Sequence, residues 1–135
     1  MDVMYRAVGG RTSAVYDDFR PALFVLSTAL SRPLKGFITI DAGYKASAAD
    51  HQPPQPWGIG DVSYHWAGDE HGILTLTKPA REIQIGDKVR LVAGHCDPTV
   101  NLYGRFHVCR GEQVVDLWPI AARGAQPVSA GFQGR

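Results

Sequence analysis

Apolar residues along the chain fall in short runs separated by turn residues, a rhythm that suits strands better than helices. Residues 22–30 are rich in apolar and β-branched side chains and predict a strand; residues 31–36, with Pro33 and Gly36, predict a turn, and Phe37, Ile38, Thr39 and Ile40 a second strand, together an antiparallel hairpin. Residues 51–60 hold three prolines and no periodicity, which reads as a long loop, with Trp57 placed to cap the core or a neighbouring domain. Val62, Tyr64 and Trp66 alternate with Ser63 and His65 as in a half-buried strand, and after a turn at residues 68–72 a partner strand follows over 73–77. Residues 83–91 read as two strands around the Gly86-Asp87 turn, and residues 105–109 and 113–118 as two more around Arg110, Gly111 and Glu112. Near the start, Met1 to Tyr5 suit the end of a strand that Gly9-Gly10 breaks, and residues 15–20 suit a helical turn before Pro21. The pattern predicts a mainly β chain, an antiparallel barrel- or sandwich-like domain with little helix, over residues 1–124, followed by a small, polar tail at 125–135.

Fifteen glycines and nine prolines in 135 residues agree with a turn-rich β domain, and the length suits one hydrophobic core. A net charge of +1 without a basic run offers no electrostatic footprint for nucleic acid. The longest apolar stretch, 22–30, contains Ser27 and Thr28 and is far shorter than the roughly 20 residues that span a bilayer. The first residues lack a basic leader with an apolar core, and Cys96 and Cys109 form neither a C-x-x-C pair nor a disulfide framework, so a reduced, cytoplasmic protein is expected.

Three stretches carry candidate chemistry. Val89, Leu91 and Ala93 lead into Gly94, after which His95, Cys96 and Asp97 come in succession before Pro98. Read as the extended end of a strand, this stretch turns His95 and Asp97 to one side and Cys96 to the other. An imidazole beside a carboxylate is a two-ligand seat for a divalent metal with most of its coordination sphere open; a hydrogen-bonded pair or a plain turn fits the same spacing. Asp69, Glu70 and His71 between Gly68 and Gly72 give an acidic pair with a histidine able to move protons near neutral pH, or simply a hairpin turn. Asp41 and Lys45 flank Gly43 and read locally as a strand end with a surface ion pair. His51 and His65 read as surface or packing residues.

The order of these stretches resembles the C-terminal domain of the D-threonine aldolase and D-serine dehydratase family. The matching residues are Asp41, Gly43, Lys45, Ser47 and Asp50; Glu70-His71-Gly72; the run from Gly94 to Tyr103; Trp118-Pro119-Ile120; and Arg123-Gly124. The resemblance implies a domain joined through residues 1–10 to an N-terminal barrel that binds pyridoxal phosphate. It implies a divalent metal on His95 and Asp97, a catalytic or supporting role for His71, and a place for Asp41, Gly43, Lys45 and Glu70 near the substrate and cofactor. The dehydratase pattern carries cysteine two residues after the motif histidine, a ligand suited to zinc. Asp97 follows the aldolase pattern, and its harder oxygen admits manganese, magnesium or cobalt alongside zinc. The chain departs from the pattern at Gly104, where an acidic residue often follows the tyrosine. Lys35, Lys45, Lys78 and Lys88 stand in no motif for a cofactor lysine, so the fragment alone is expected to be inactive. The resemblance implies a D-β-hydroxy amino acid substrate, the barrel of the same protein as partner and a homodimer. Dehydratase chemistry and a non-catalytic β module for dimer contacts are the alternatives.

Overall fold

The computed structural model describes residues 20–121, 123 and 124. The expectations for residues 1–10, for most of the turn at 15–20 and for the tail at 125–135 lie outside the described residues. The chain divides after Thr99 into two compact units.

The first unit holds strands β1 (Val25–Ser31), β2 (Phe37–Ile40), β3 (Gln55–Pro56), β4 (Gly60–Trp66), β5 (Gly72–Pro79) and β6 (Lys88–Val92), and helix α1 (Cys96–Val100) begins within it. All strand pairs are antiparallel, in the order β3-β6-β1-β2-β5-β4, and the two edge strands return against each other, so the sheet is nearly closed. The expected mainly β, barrel-like class is borne out. Alternation does the sorting: Val25 and Ala29 on β1, Ile38 and Ile40 on β2, Leu74 on β5, and Val89 and Leu91 on β6 turn inward and are buried.

β1 is the seam of this sheet. Its first four residues pair with β6, and its last residues, from Ala29 on, pair with β2 through an irregular register. At that changeover the Asp41 carboxylate accepts the Thr28 backbone N–H at 2.6 Å and the Ser27 hydroxyl at 2.8 Å, while the Asp41 N–H donates to the Thr28 carbonyl at 3.2 Å. Partial burial pushes the Asp41 pKa up, but the bonds from Thr28 and Ser27 outweigh it and hold the carboxyl below its usual value. Its stabilisation is therefore complete above the unfolded-state pKa and is lost as pH falls through the lower folded-state value. Asp41→Asn is expected to lower the thermal midpoint at neutral pH by about 3 °C, the effect of roughly one net hydrogen bond, and the difference from wild type should vanish in acid. Melting curves across pH check this.

Two local expectations change. Residues 83–85 do not form a strand: the Gln84 N–H is taken by the Asp87 carboxylate at 3.0 Å and the Asp87 N–H by the Gln84 carbonyl at 3.1 Å, so those backbone groups close a turn instead of a ladder. Ile83 is still fully buried, whereas Ile85 lies exposed. Within the proline-rich loop, Gln55 and Pro56 add a short edge strand to β6, and the half-buried Trp57 packs at 6.0 Å from Phe24.

The second unit contains the hairpin of β7 (Arg105–Arg110) and β8 (Gln113–Pro119), turning at Gly111 with φ of 63°. Its strands match the expected pair to within a residue at each end. Val114, Val115, Leu117 and Trp118 are exposed.

Candidate metal centre

Strand β6 ends at the buried Val92, and the buried Ala93 and Gly94 that follow deliver His95 to the rim of the first unit. There His95 Nδ1 lies 2.6 Å from Asp50 Oδ2, and its ring meets the edge of His51 with centroids 4.9 Å apart. His51 Nε2 is 3.9 Å from the same carboxylate oxygen. One ligand atom from each of Asp50, His51 and His95 falls within 4.8 Å of the other two. Two imidazoles and one carboxylate are a donor set that borderline divalent cations accept.

Two devices bring residue 50 to residue 95. A Cβ added at Gly94 would overlap the Gln52 carbonyl oxygen and lie 2.8 Å from its carbonyl carbon, so only glycine lets this loop approach so closely. Thr99, almost fully buried in α1, donates its hydroxyl to the His95 carbonyl at 2.7 Å and accepts the Ala48 N–H at 3.2 Å. One hydroxyl thus ties the segment before Asp50 to the turn that carries His95. The short contact to the His95 imidazole holds the Asp50 carboxyl below its usual pKa.

A second pairing joins the segment at Asp41 to the β4–β5 turn. A Cβ at Gly43 would overlap the Gly68 carbonyl oxygen and lie 2.5 Å from both the Asp69 carbonyl oxygen and the His71 nitrogen. With that space free, the Tyr44 N–H donates to the Gly68 carbonyl at 3.1 Å and the Lys45 N–H to the Asp69 carbonyl at 3.0 Å. Lys45 Nζ forms an ion pair with Glu70, which raises the lysine pKa. Beneath this junction Tyr44 stacks on Trp66 at 5.7 Å, and the buried Tyr64 donates its hydroxyl to the Ala42 carbonyl at 2.8 Å. The local ion pair expected between Asp41 and Lys45 does not form, because each finds a partner elsewhere: Asp41 on β1 and Lys45 on Glu70.

The residues singled out in the sequence therefore fall into separate groups. Gly43, Lys45, Glu70 and His71 come together at the β4–β5 turn, where His71 is exposed and its carbonyl accepts the Ala67 N–H at 2.9 Å. His95 enters the cluster with Asp50 and His51; His71 and Asp97 are outside it. The extended geometry expected for His95 to Asp97 does not hold, because the chain turns helical at Cys96, so Asp97 belongs to the first turn of α1 while His95 stands just before it. Asp97 is exposed in the first turn of α1, two residues after His95. His51, expected as a surface or packing residue, is the group that spacing does not single out. Its only sequence signal is its place next to Asp50.

Fold and rim together describe a small antiparallel β domain with a histidine–carboxylate cluster suited to a divalent metal. Residues 22–109 match the family described as "Putative serine dehydratase domain", and the chain belongs to that family. It is 39% identical over 106 residues to a D-threonine aldolase of Arthrobacter sp, covering 78% of this chain and 28% of that protein. It is 36% identical over 107 residues to a 3-hydroxy-D-aspartate aldolase of Paracoccus denitrificans, covering 79% of this chain and 27% of the relative. The crystal structure of D-threonine aldolase from Filomicrobium marinum superimposes with a TM-score of 0.80 at 33% identity, over 91% of this chain and 33% of that one. D-threo-3-hydroxyaspartate dehydratase from Delftia sp. HT23 shares the fold, with a TM-score of 0.62 at 24% identity over 93% of this chain and 37% of its own. The chain thus spans between a quarter and two-fifths of the length of these relatives. The resemblance read from the motifs is borne out. Among the described residues, no helix is long and apolar enough to cross a membrane.

Proposed function

We infer that this chain is the C-terminal β domain of a lyase that cleaves a D-β-hydroxy-α-amino acid, D-threonine or a close analogue, to glycine and an aldehyde. Two aldolases stand among its curated relatives, and Asp97 follows the aldolase pattern. The observation that carries the reading is His95, fixed at the end of a core strand with its ring aligned by a carboxylate on a domain rim.

In this reading His95 and Asp97, which stand at the same end of α1, hold a divalent metal, with His51 beside them. A bound divalent cation supplies Lewis acidity that orients the substrate and lowers the pKa of its β-hydroxyl, and pyridoxal phosphate, held by an N-terminal barrel of the same protein, supplies the electron sink. The chain's own residues align and protect. Asp50 and Thr99 keep the His95 turn in place, and Gly43 lets the segment at Asp41 lock the β4–β5 turn. That turn presents His71 as an exposed imidazole able to accept the hydroxyl proton, with Glu70 fixed beside it by Lys45. Asp41, buttressing the β1 seam, supports the same segment. The protein acts as a cytoplasmic homodimer.

A dehydratase reading is favoured by one observation: a variant of D-threo-3-hydroxyaspartate dehydratase, described in its metal-free form, matches with a TM-score of 0.57 at 25% identity. In that case the metal would assist loss of the β-hydroxyl. Product analysis of the complete enzyme with D-threonine, D-serine, pyridoxal phosphate and Mn²⁺ separates the two. Glycine with acetaldehyde is expected; keto acid with ammonia from either substrate, and no glycine, would establish the dehydratase.

A further inference from the structure

The Asp50–His95 contact bears on which nitrogen of His95 faces a metal. Two atoms bound to one ion at about 2.1 Å and at right angles sit about 3.0 Å apart, and further apart in tetrahedral geometry. The 2.6 Å between Asp50 Oδ2 and His95 Nδ1 is shorter than that and is a charge-assisted hydrogen-bond distance. A carboxylate can only accept, so Nδ1 carries the hydrogen. His51 Nε2, at 3.9 Å from the same oxygen, is beyond hydrogen-bond reach and does not compete for it in this arrangement.

We propose that Asp50 is a positioning residue, which accepts the Nδ1–H of His95, fixes the tautomer and turns the Nε2 lone pair towards the metal. The proposal rests on the metal reading above and deepens it. A carboxylate behind a ligating imidazole sets the ring's direction and raises its basicity. The elements holding Asp50 are built to keep it there: Gly94 admits the Gln52 backbone, and the Thr99 hydroxyl spans the Ala48 N–H and the His95 carbonyl. Asp50 itself is exposed and is not part of the buried core. The edge-on ring of His51, 4.9 Å away, limits rotation of His95 from another side.

The test uses this chain, labelled with ¹⁵N at histidine, free of metal and at about pH 8, where an ordinary imidazole is neutral. Long-range ¹H–¹⁵N spectra, with His95 assigned by its loss in His95→Gln, are expected to show a protonated Nδ1 and a bare Nε2. Asp50→Ala is expected to give the mixed tautomers of a free imidazole and to weaken Mn²⁺ and Zn²⁺ binding about 10–100-fold, with Asp50→Asn, which keeps an acceptor oxygen, losing less. The metal-free thermal midpoints of all three proteins should agree to within about 3 °C, because an exposed pair of this kind contributes little to stability. A protonated Nε2 in the wild type overturns the proposal, as does an unchanged metal affinity in Asp50→Ala when His95→Ala has lost its own. Metal affinity unchanged in His95→Ala is a different failure: it removes the metal reading itself and the proposal with it.

Discussion

Gly94→Ala is expected to lower the thermal midpoint by about 10 °C and to open the His95 cluster. The added methyl has nowhere to go: it would meet backbone atoms of Gln52 and Pro53, which cannot swing aside as a side-chain tip can. Overpacking of this kind costs about 1–3 kcal/mol, a large share of the roughly 5–15 kcal/mol that holds a small domain together. The Gln52 loop must retreat, and Asp50, two residues earlier, moves with it. Loss of fold stability and loss of metal affinity should therefore appear together. Gly104→Ala is the control, because among the described residues a Cβ there meets only the tip of Arg123, at 3.7 Å, and the midpoint should hardly change. Thermal melts of both variants, with and without Mn²⁺, check this. A Gly94→Ala protein melting like wild type would mean that the close approach is unimportant.

His95→Ala is expected to leave the fold intact and to abolish metal binding. The side chain is only partly buried at the rim, and its removal opens no cavity in the core. A supporting partner of a metal ligand is worth roughly 10–100-fold in affinity, so loss of the ligand itself should cost at least about 100-fold. In the complete enzyme, metal-stimulated cleavage of D-threonine should fall with it, and excess Mn²⁺ should restore little. Isothermal titration with Mn²⁺, alongside a melt of the metal-free protein, separates a lost ligand from a damaged fold.

Much of the sheet was legible because its strands obey period two between strong turn signals. Phe37–Ile40 and the β7–β8 hairpin lie where alternation and glycine place them. The turn at residues 84–87 was not legible as such, because Ile83 and Ile85 alternate as a strand would, and it is the Asp87 side chain on the Gln84 N–H, with the Asp87 N–H on the Gln84 carbonyl, that diverts the backbone. The edge strand Gln55–Pro56 has no pattern of its own and exists only because β6 offers it partners. At the candidate site, motif order singles out the stretch that carries His95 and the residues that meet at the β4–β5 turn, but spacing does not give their geometry. Pro98 suits a strand end, yet it also fits the first turn of a helix, where its missing N–H is not needed, and there it sits. The link from His95 to Asp50 crosses 45 residues and depends on a loop folding back over Gly94, which no local period encodes.

The measurement that bears most directly on this account is the anomalous scattering of Mn²⁺ in crystals of the complete enzyme. A peak is expected about 2.1 Å from Nε2 of His95, with Asp50 behind the ring on Nδ1 and the Asp97 carboxylate in the coordination sphere. A well-occupied Mn²⁺ elsewhere, with no bond to His95, would contradict the metal seat and the mechanism built on it.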